Sequence, residues 1–503
     1  ATLHSFSKLI RTTLGSNNID FRTDYRMLPR TPQSPHEVLT SRPFTIADID
    51  DSDVIVTFGT DLLKEHRNEY LRVRRAFNFN NSKIYVLNPY QVKAADVAVR
   101  ELTYTAGCDE TLINAICLAA MEDGLADGGD LKSKISPSTA AEAAQQCGVA
   151  LDHVREVAQA IAGGRKITFI IGEIVNRSQE RELISAALCN LNRLFGIEKR
   201  GQIAILGRYA NSAGAAKLGL LPDPAPAVKS KLTELWGKWP EAEPLTADKM
   251  LVNMKKEEVN GGIILGDNPV MLYPDREFIR VSLEKLDFLV VADMFETETT
   301  ALADVVLPLS TWAEYDGYYV NLEGRTQRAN KALPPMFESR PGYAIVDAIA
   351  EQMGAPLFAT DQARHDEIKQ LLAIDSALPW PEGYLEVKPA PDAGGDEYPM
   401  ALFIGDDPHH SGYVTEKANS LMNFVGEAYI EMSPSLARSH ELSTGDSVRV
   451  ESEVGKIIVP VKVSDTIRND VVFIPRNFAS TAVTSLLMRK RRVDRVKISK
   501  VER

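Results

Sequence analysis

Cysteine is scarce in this sequence: Cys108, Cys117, Cys147 and Cys189 are the only four in 503 residues. None sits in the close-spaced pairs that zinc and iron–sulfur sites use. Four scattered thiols in so long a chain argue against a disulfide scaffold and for a reducing compartment. A basic excess is also missing. Lys and Arg number 57 against 69 Asp and Glu, a net charge of −12, so there is no global electrostatic footprint for nucleic acid. No run approaches the ~18 apolar residues of a membrane span. The strongest, such as Phe288 to Val291, is strand-sized, and direct membrane insertion is not expected. The start, Ala1-Thr2-Leu3-His4, lacks Met and the basic-then-apolar pattern of a signal peptide. The chain therefore reads as a processed or truncated product, or as a later portion of a longer polypeptide.

What is present is ordinary for globular protein: 44% apolar and 25% charged residues, with length for roughly three domains. Continuous apolar runs of strand length recur at 53–59, 83–89, 167–172, 261–266, 288–293 and 304–308. Helical composition separates several of them, over 68–77, 112–121, 139–162 and 179–194. Strands that are apolar throughout, alternating with helices, predict parallel sheets covered on both faces. Residues 213–244, rich in Ala, Pro and Trp, fit neither period. From Tyr398 the pattern changes to period-2 alternation over 447–452, 456–463, 471–475 and 495–498, with turn residues between, which predicts a small β-barrel. The expected organisation is an α/β domain over 1–120, a second over 121–354, an extended Pro-rich crossing segment over 355–397 and the barrel over 398–503.

Three strand ends carry polar turns: Gly59-Thr60-Asp61, Asn88-Pro89-Tyr90 and Gly266-Asp267-Asn268-Pro269. Ligands of open α/β sheets bind outside the carboxyl ends of strands, and the same residues are also ordinary turn chemistry. The stretch from Asp293 to Arg328 is denser still. It holds Asp293, Glu298, Asp304, Glu314, Asp316, Glu323 and Arg325 just after a buried strand. That density suits a polar ligand, a domain junction or a capped helix start. In the barrel region, His409-His410 sits in an Asp-Asp-Pro-His-His-Ser-Gly loop, either a ligand-reaching loop or a polar cap. The last fifteen residues hold eight basic and two acidic side chains, a solvated strand or a surface for an acidic partner.

The run Asp293–Gln327 resembles the signature of the molybdopterin oxidoreductase superfamily. Gly15-Ser16-Asn17-Asn18-Ile19-Asp20 is similar to the segment that opens that family's cofactor domains. The strand leading to Gly59 resembles its first nucleotide-like fold, and Gly266–Pro269 its second. Ile430–Pro434, Gly445–Val450 and Val472–Pro475 resemble its C-terminal pterin-dinucleotide domain. Within the superfamily the nearest likeness is to the large peripheral-arm subunits of respiratory complex I. Active relatives follow Asn-Asn-x-Asp with a Cys or selenocysteine that ligates molybdenum or tungsten. Here Phe21-Arg22-Thr23-Asp24-Tyr25-Arg26 follows, and no cysteine precedes Cys108. Asp24 and Ser34 are the alternative ligands, while Arg22, Arg26 and Arg30 put positive charge where a soft metal wants thiolate.

The resemblance implies two doubly wound, nucleotide-fold-like α/β domains and a C-terminal double-psi-like β-barrel. It also implies a part in NADH-quinone oxidoreductase as scaffold, with no catalytic residue and no metal in this chain. Iron–sulfur clusters would lie upstream or in partner subunits. The partners would be other peripheral-arm subunits, with a peripheral place on the cytoplasmic side of the inner membrane or in the mitochondrial matrix. A vestigial cofactor site would consist of Gly59, Asn88, Pro89, Gly266, Asn268, Pro269, Asp293, Glu298, Asp304, Glu323, Arg325 and His409. Glu323 and Arg325 would be buried partners at a domain junction. Phe21, Arg22, Tyr25, Tyr273 and Tyr318 would fill the crevice between the two α/β domains, where a cofactor would otherwise sit. The alternative is an active bis-molybdopterin oxidoreductase such as a formate dehydrogenase catalytic subunit, the one case in which molybdopterin would be held here.

Overall fold

The computed structural model describes residues 1–21, 34–389 and 397–501. The chain forms two compact units, each built from two stretches. The first unit is Ala1–Pro43 with Gly207–Pro379, and the second is Phe44–Leu206 with Trp380–Arg503.

The second unit opens with a five-stranded parallel sheet: β1 (Val54–Phe58), β2 (Lys83–Asn88), β3 (Arg100–Thr103), β4 (Ile167–Ile171) and β5 (Gly201–Ile205). Its order is β3-β2-β1-β4-β5, with Val54 opposite both Lys83 and Ile167. The chain runs outward from β1 to β3, then returns to the other side of β1. The point of reversal lies between β1 and β4, where such sheets open a crevice at their carboxyl ends. Every residue of β1 and β4 is buried, which is why both read as unbroken apolar runs. The helix Asp109–Glu122 is buried almost all round, as a helix is when other helices pack on it from several sides. It packs against Ala140–Gln146, Leu151–Gly163 and Arg181–Phe195.

The expected boundary at residue 120 falls inside that helix, and β4 and β5 complete the sheet that β1 begins. The single helix expected over 139–162 is two, broken at Cys147-Gly148, with Thr139 capping the first through Glu142 N at 3.2 Å.

The first unit holds a smaller parallel sheet, β6 (Gly261–Leu265), β7 (Phe288–Asp293) and β8 (Val305–Pro308), in that order. A hairpin follows, β9 (Gly317–Val320) with β10 (Thr326–Ala329). One apolar cluster joins Leu251, Val270, Ile279 and Leu283 to Leu289 and Val291. Another gathers Leu9, Ile10, Leu232, Val346, Ile368 and Leu371. The last two belong to the helix Asp361–Leu372, capped by Thr360. Residues 355–397 are therefore not an extended segment throughout. Proline is confined to the flanks of this helix, and Ile368 and Leu371 bury as an i, i+3 pair.

The barrel lies in the second unit: β11 (Met400–Gly405), β12 (Ile430–Met432), β13 (Ser447–Glu451), β14 (Lys456–Val463), β15 (Val471–Pro475) and β16 (Arg495–Lys500). It closes in the order β11-β15-β12-β14-β13-β16, with β11–β15 and β12–β14 parallel and the other pairs antiparallel. Val448, Val450, Val459 and Val461 face inward, the alternation that made this region legible.

Candidate functional site

In the second unit the crevice between β1 and β4 is filled by acid. Gly59 ends β1, donating its N–H to Leu87 O at 2.9 Å. Glu65 turns back over it and accepts hydrogen bonds from Thr60 Oγ1 at 2.8 Å, Asp61 N at 3.2 Å and Glu173 N at 3.2 Å. Those backbone donors are of the kind that a sheet of this type turns toward a phosphate; here they serve a carboxylate of the chain itself. Gly172 leaves no room for anything larger, since a Cβ would stand 2.3 Å from Thr60 Cβ and 2.9 Å from a Glu65 oxygen. Asp61, Glu173 and Glu431 are also buried. Cations facing them are Lys64, 3.4 Å from Asp61 and 3.7 Å from Glu431, Lys462, 3.8 Å from Glu431, and Arg177, 3.8 Å from Glu173.

Burial, and next the charge of Glu173, push the Glu65 carboxyl up to about 7. Burial also raises Asp61, and burial with the neighbouring carboxylates raises Tyr90. Asn88 and Pro89 are buried beside this cluster, and the Asn88 amide donates to Tyr90 O at 2.9 Å.

In the first unit the turn after β6 has Gly266 at φ +62, a left-handed conformation glycine adopts without strain. The next residues satisfy one another. Asp267 accepts from Asn268 N at 2.9 Å and Tyr273 Oη at 3.0 Å. The Asn268 side chain donates to Glu298 at 2.8 Å and accepts from Thr299 Oγ1 at 2.7 Å. Glu298 faces Arg276 at 3.6 Å. Pro269 is buried at the start of the short helix Pro269–Leu272. Asp293, buried at the end of β7, accepts from Met294 N at 2.6 Å. Asp304 accepts from Leu289 N at 2.7 Å and so ties β8 to β7. The dense polar run after β7 is thus largely loop architecture.

The Asn17–Asp20 segment is a clip. Asn17 donates to Pro240 O at 2.7 Å and Ala242 O at 2.9 Å. Asn18 accepts from Leu245 N at 2.9 Å, and Asp20 from Ala247 N at 3.0 Å. Beside it lies a cavity of about 990 Å³ whose lining includes Asn18, Asp20, Phe21, Asp267 and Tyr273. Phe21 and Tyr273 line this space and do not close it. Tyr318 lines a separate cavity of about 260 Å³. Arg22 and Tyr25 lie outside the described residues, as do Asp24, Arg26 and Arg30, so the metal-ligand position is not among those described. Ser34 is the cap of the helix Pro35–Thr40, accepting from Glu37 N at 3.2 Å.

The pterin dinucleotide implied by the resemblance carries a diphosphate, which calls for cations or free amide donors. Among the described residues no Lys, Arg or His lines the larger cavity; its walls are mostly aliphatic, from Leu3 and Phe6 to Met250 and Val290. The described lining of this cavity thus offers no cation to that diphosphate. Also among the described residues, no cluster of three or more His, Cys, Asp or Glu is placed to hold a metal ion.

Glu323 and Arg325 sit at the tip of the β9–β10 hairpin, in a turn closed by Gly324 N to Asn321 O at 2.9 Å. Glu323 is half-buried and Arg325 exposed, so they are not a buried pair. The Asn321 side chain orders the tip, accepting from Glu323 N and Arg325 N at 3.1 and 2.9 Å. Glu323→Ala and Arg325→Ala should therefore each cost below about 1 kcal/mol in urea unfolding. A loss of ~3 kcal/mol, the scale of a broken buried pair, would contradict this placement.

His409 is exposed, whereas His410 is buried against Phe478, ring centroids 4.3 Å apart. The residues that sequence reading missed are Glu65, Glu173, Arg177 and Glu431. Glu65 stands four residues after Asp61 in an ordinary charged run, and its partner is 108 residues away. The one local signal was an acid directly following the Gly172 strand end.

The profile described as Molybdopterin oxidoreductase matches residues 1–352, and that described as Molydopterin dinucleotide binding domain matches 406–500. The chain is 29% identical to a G-type NADH-quinone oxidoreductase subunit of Rhizobium meliloti, over 97% of this chain and 59% of that protein. It is 26% identical to NADPH-Fe(3+) oxidoreductase subunit alpha of Geobacter sulfurreducens, over 96% and 60%. It is 29% identical to F420-dependent formate dehydrogenase subunit alpha of Methanocaldococcus jannaschii, over 86% and 73%. The chain thus spans about 60% of the length of the first two relatives. Among solved structures, acetylene hydratase from Pelobacter acetylenicus shares the fold, with TM-score 0.70 and 17% identity over 93% of this chain and 80% of that one.

Proposed function

The chain belongs to the molybdopterin oxidoreductase family, and from that premise we propose that it is the molybdoenzyme-like part of an NADH-quinone oxidoreductase, serving as scaffold in electron transfer after loss of the metal ligand. It turns over no substrate itself. Electrons from NADH pass through iron–sulfur clusters upstream or on neighbouring peripheral-arm subunits, and the chain presents docking surface to them. It sits peripherally, on the cytoplasmic side of the inner membrane or in the matrix; no described helix is long and apolar enough to cross a membrane.

The observation that carries this reading is the chemistry of the strand ends. One crevice is closed by the chain's own Glu65 carboxylate, and the Gly266 turn spends its polar atoms on itself beside a cavity with no cation among its described lining residues. Exposed Trp312 and Phe337, 70% and 96% accessible, support a docking role for the first unit.

A second reading, an active molybdenum or tungsten oxidoreductase of the formate dehydrogenase kind, is favoured by one feature, the open cavity of about 990 Å³ at Asp267. Purified natively, the chain is expected to carry no stoichiometric molybdenum, tungsten or pterin, and to show no sulfur-to-iron absorption near ~400 nm. Metal analysis finding one molybdenum or tungsten per chain, with a pterin released on denaturation, would replace the scaffold reading with the second.

A further inference from the structure

Two of the four cysteines, 39 residues apart in sequence, meet in the second unit. Cys108 stands at the N-cap of the helix Asp109–Glu122, and Cys147 follows the last residue of the helix Ala140–Gln146. Backbone bonds hold the two segments together, with Thr105 N donating to Cys147 O at 2.9 Å and Cys108 N to Thr105 O at 3.1 Å. Each sulfur reaches across. Cys108 Sγ lies 3.5 Å from Gln146 O and Cys147 Sγ 3.7 Å from Cys108 O, and each thiol shifts the pKa of the other. Cys108 is partly exposed, while Cys147 and Cys117 are buried.

The charged groups nearby are Asp109, Glu110 and Arg492. The Arg492 guanidinium bonds Glu110 and Gly107 O, and Tyr104 Oη donates to Asp109 at 2.6 Å. None of these groups belongs to the acid-filled crevice or the Gly266 turn.

We propose that Cys108 and Cys147 are a redox-active dithiol, with Cys108 the attacking and Cys147 the resolving sulfur toward small disulfides of the glutathione class. A helix N-terminus stabilises a thiolate. The Cys147 thiol lowers the Cys108 pKa, and Arg492 adds to this against burial and the two acids. The Cys108 thiolate attacks one sulfur of the disulfide. That S–S bond breaks, and one thiolate leaves and takes up the proton Cys108 has given to solvent. Cys147 then loses its proton, and its sulfur attacks Cys108 Sγ. The mixed disulfide breaks, and the second small thiolate leaves and is protonated. Two protein thiols are oxidised and one disulfide is reduced to two thiols.

The order is built in. Cys147 is held protonated mainly by the neighbouring Cys108, and burial adds to this. The first contribution disappears once Cys108 carries the adduct. The buried Cys117, raised by burial, stays inert.

The test uses the full chain with oxidised glutathione as the probe. Wild type should lose the mass of two hydrogens, retain no glutathione, yield a Cys108–Cys147 cross-linked peptide and revert with dithiothreitol. Cys147→Ser should stop at one stable glutathione on Cys108, and Cys108→Ser should take up none. Before oxidation, Cys108 should be alkylated at least about tenfold faster than Cys117 or Cys189, since it is part-exposed and they are buried away from reagent. A wild-type protein that ends with a lasting adduct on Cys108, or cross-links only between chains, would overturn the proposal. So would equal alkylation of all four thiols. The cross-linked peptide is read on wild type, so a variant that fails to fold does not remove the test.

Discussion

Glu65→Gln is expected to flatten the pH dependence of the second unit's stability between about pH 4.5 and 7. The folded carboxyl titrates near 7, whereas in the unfolded chain it titrates near the ordinary 4.5. Between those values the folded state holds a proton that the unfolded state has released. The contribution of Glu65 is therefore fully present below pH 4.5 and lost as pH rises through 7. At about 1.4 kcal/mol per pH unit, the swing is roughly 3 kcal/mol. Gln imitates the neutral acid, with one oxygen to accept and no charge to desolvate. Urea unfolding at pH 5 and pH 8 reads the effect as a difference between variant and wild type. Glu110, also raised to about 7 by burial, remains in both proteins and cancels. The variant should gain on wild type by roughly 3 kcal/mol from pH 5 to pH 8. An unchanged gap would mean that Glu65 is ionised throughout.

Arg11→Ala should be the most damaging single change in the first unit. Arg11 is 1% exposed, in the widened turn Leu9–Thr13 that continues the first helix. Its guanidinium donates to Ser7 Oγ at 2.7 Å, Asn17 Oδ1 at 3.3 Å, Leu221 O at 2.7 Å and Gly219 O. It also stacks 4.5 Å over Trp239. Burial lowers its pKa to about 10, so it stays charged in the folded protein. Truncation leaves Leu221 O and the Asn17 oxygen without this donor, leaves Gly219 O only Ser7 Oγ at 3.1 Å and opens a void, a loss of about 3–5 kcal/mol. Arg11→Lys should recover little, because one ammonium cannot reach partners spread over the planar fork. Because Asn17 holds Pro240 and Ala242, limited proteolysis should open the 240–247 segment first. A loss under 1 kcal/mol would show that these bonds are replaced by water.

The sequence by itself determined the fold class and most strand positions. Burial on both faces writes itself as unbroken apolar runs at 54–58, 167–171 and 288–293, and a barrel wall writes itself as alternation at 447–451 and 456–463. These are local periodicities, set by which faces of an element meet apolar neighbours. It also placed the polar turns at the strand ends correctly, since the left-handed Gly266 and the Asx geometry of Asp267 are local chemistry.

What those turns do was decided only by the tertiary structure. Whether Glu65 faces solvent or plugs a crevice depends on β4 docking beside β1, and β4 begins more than a hundred residues later. The helix Asp361–Leu372 hid between prolines because its weak apolar stripe becomes a core face only when Val346 and Leu232 are opposite it. Arg11, the Glu65–Glu173 pair and the Cys108–Cys147 pair share the same reason. Each joins groups whose meaning is electrostatic or covalent and depends on distance in space. Distance along the chain carries no information about that until the long-range pairings are made.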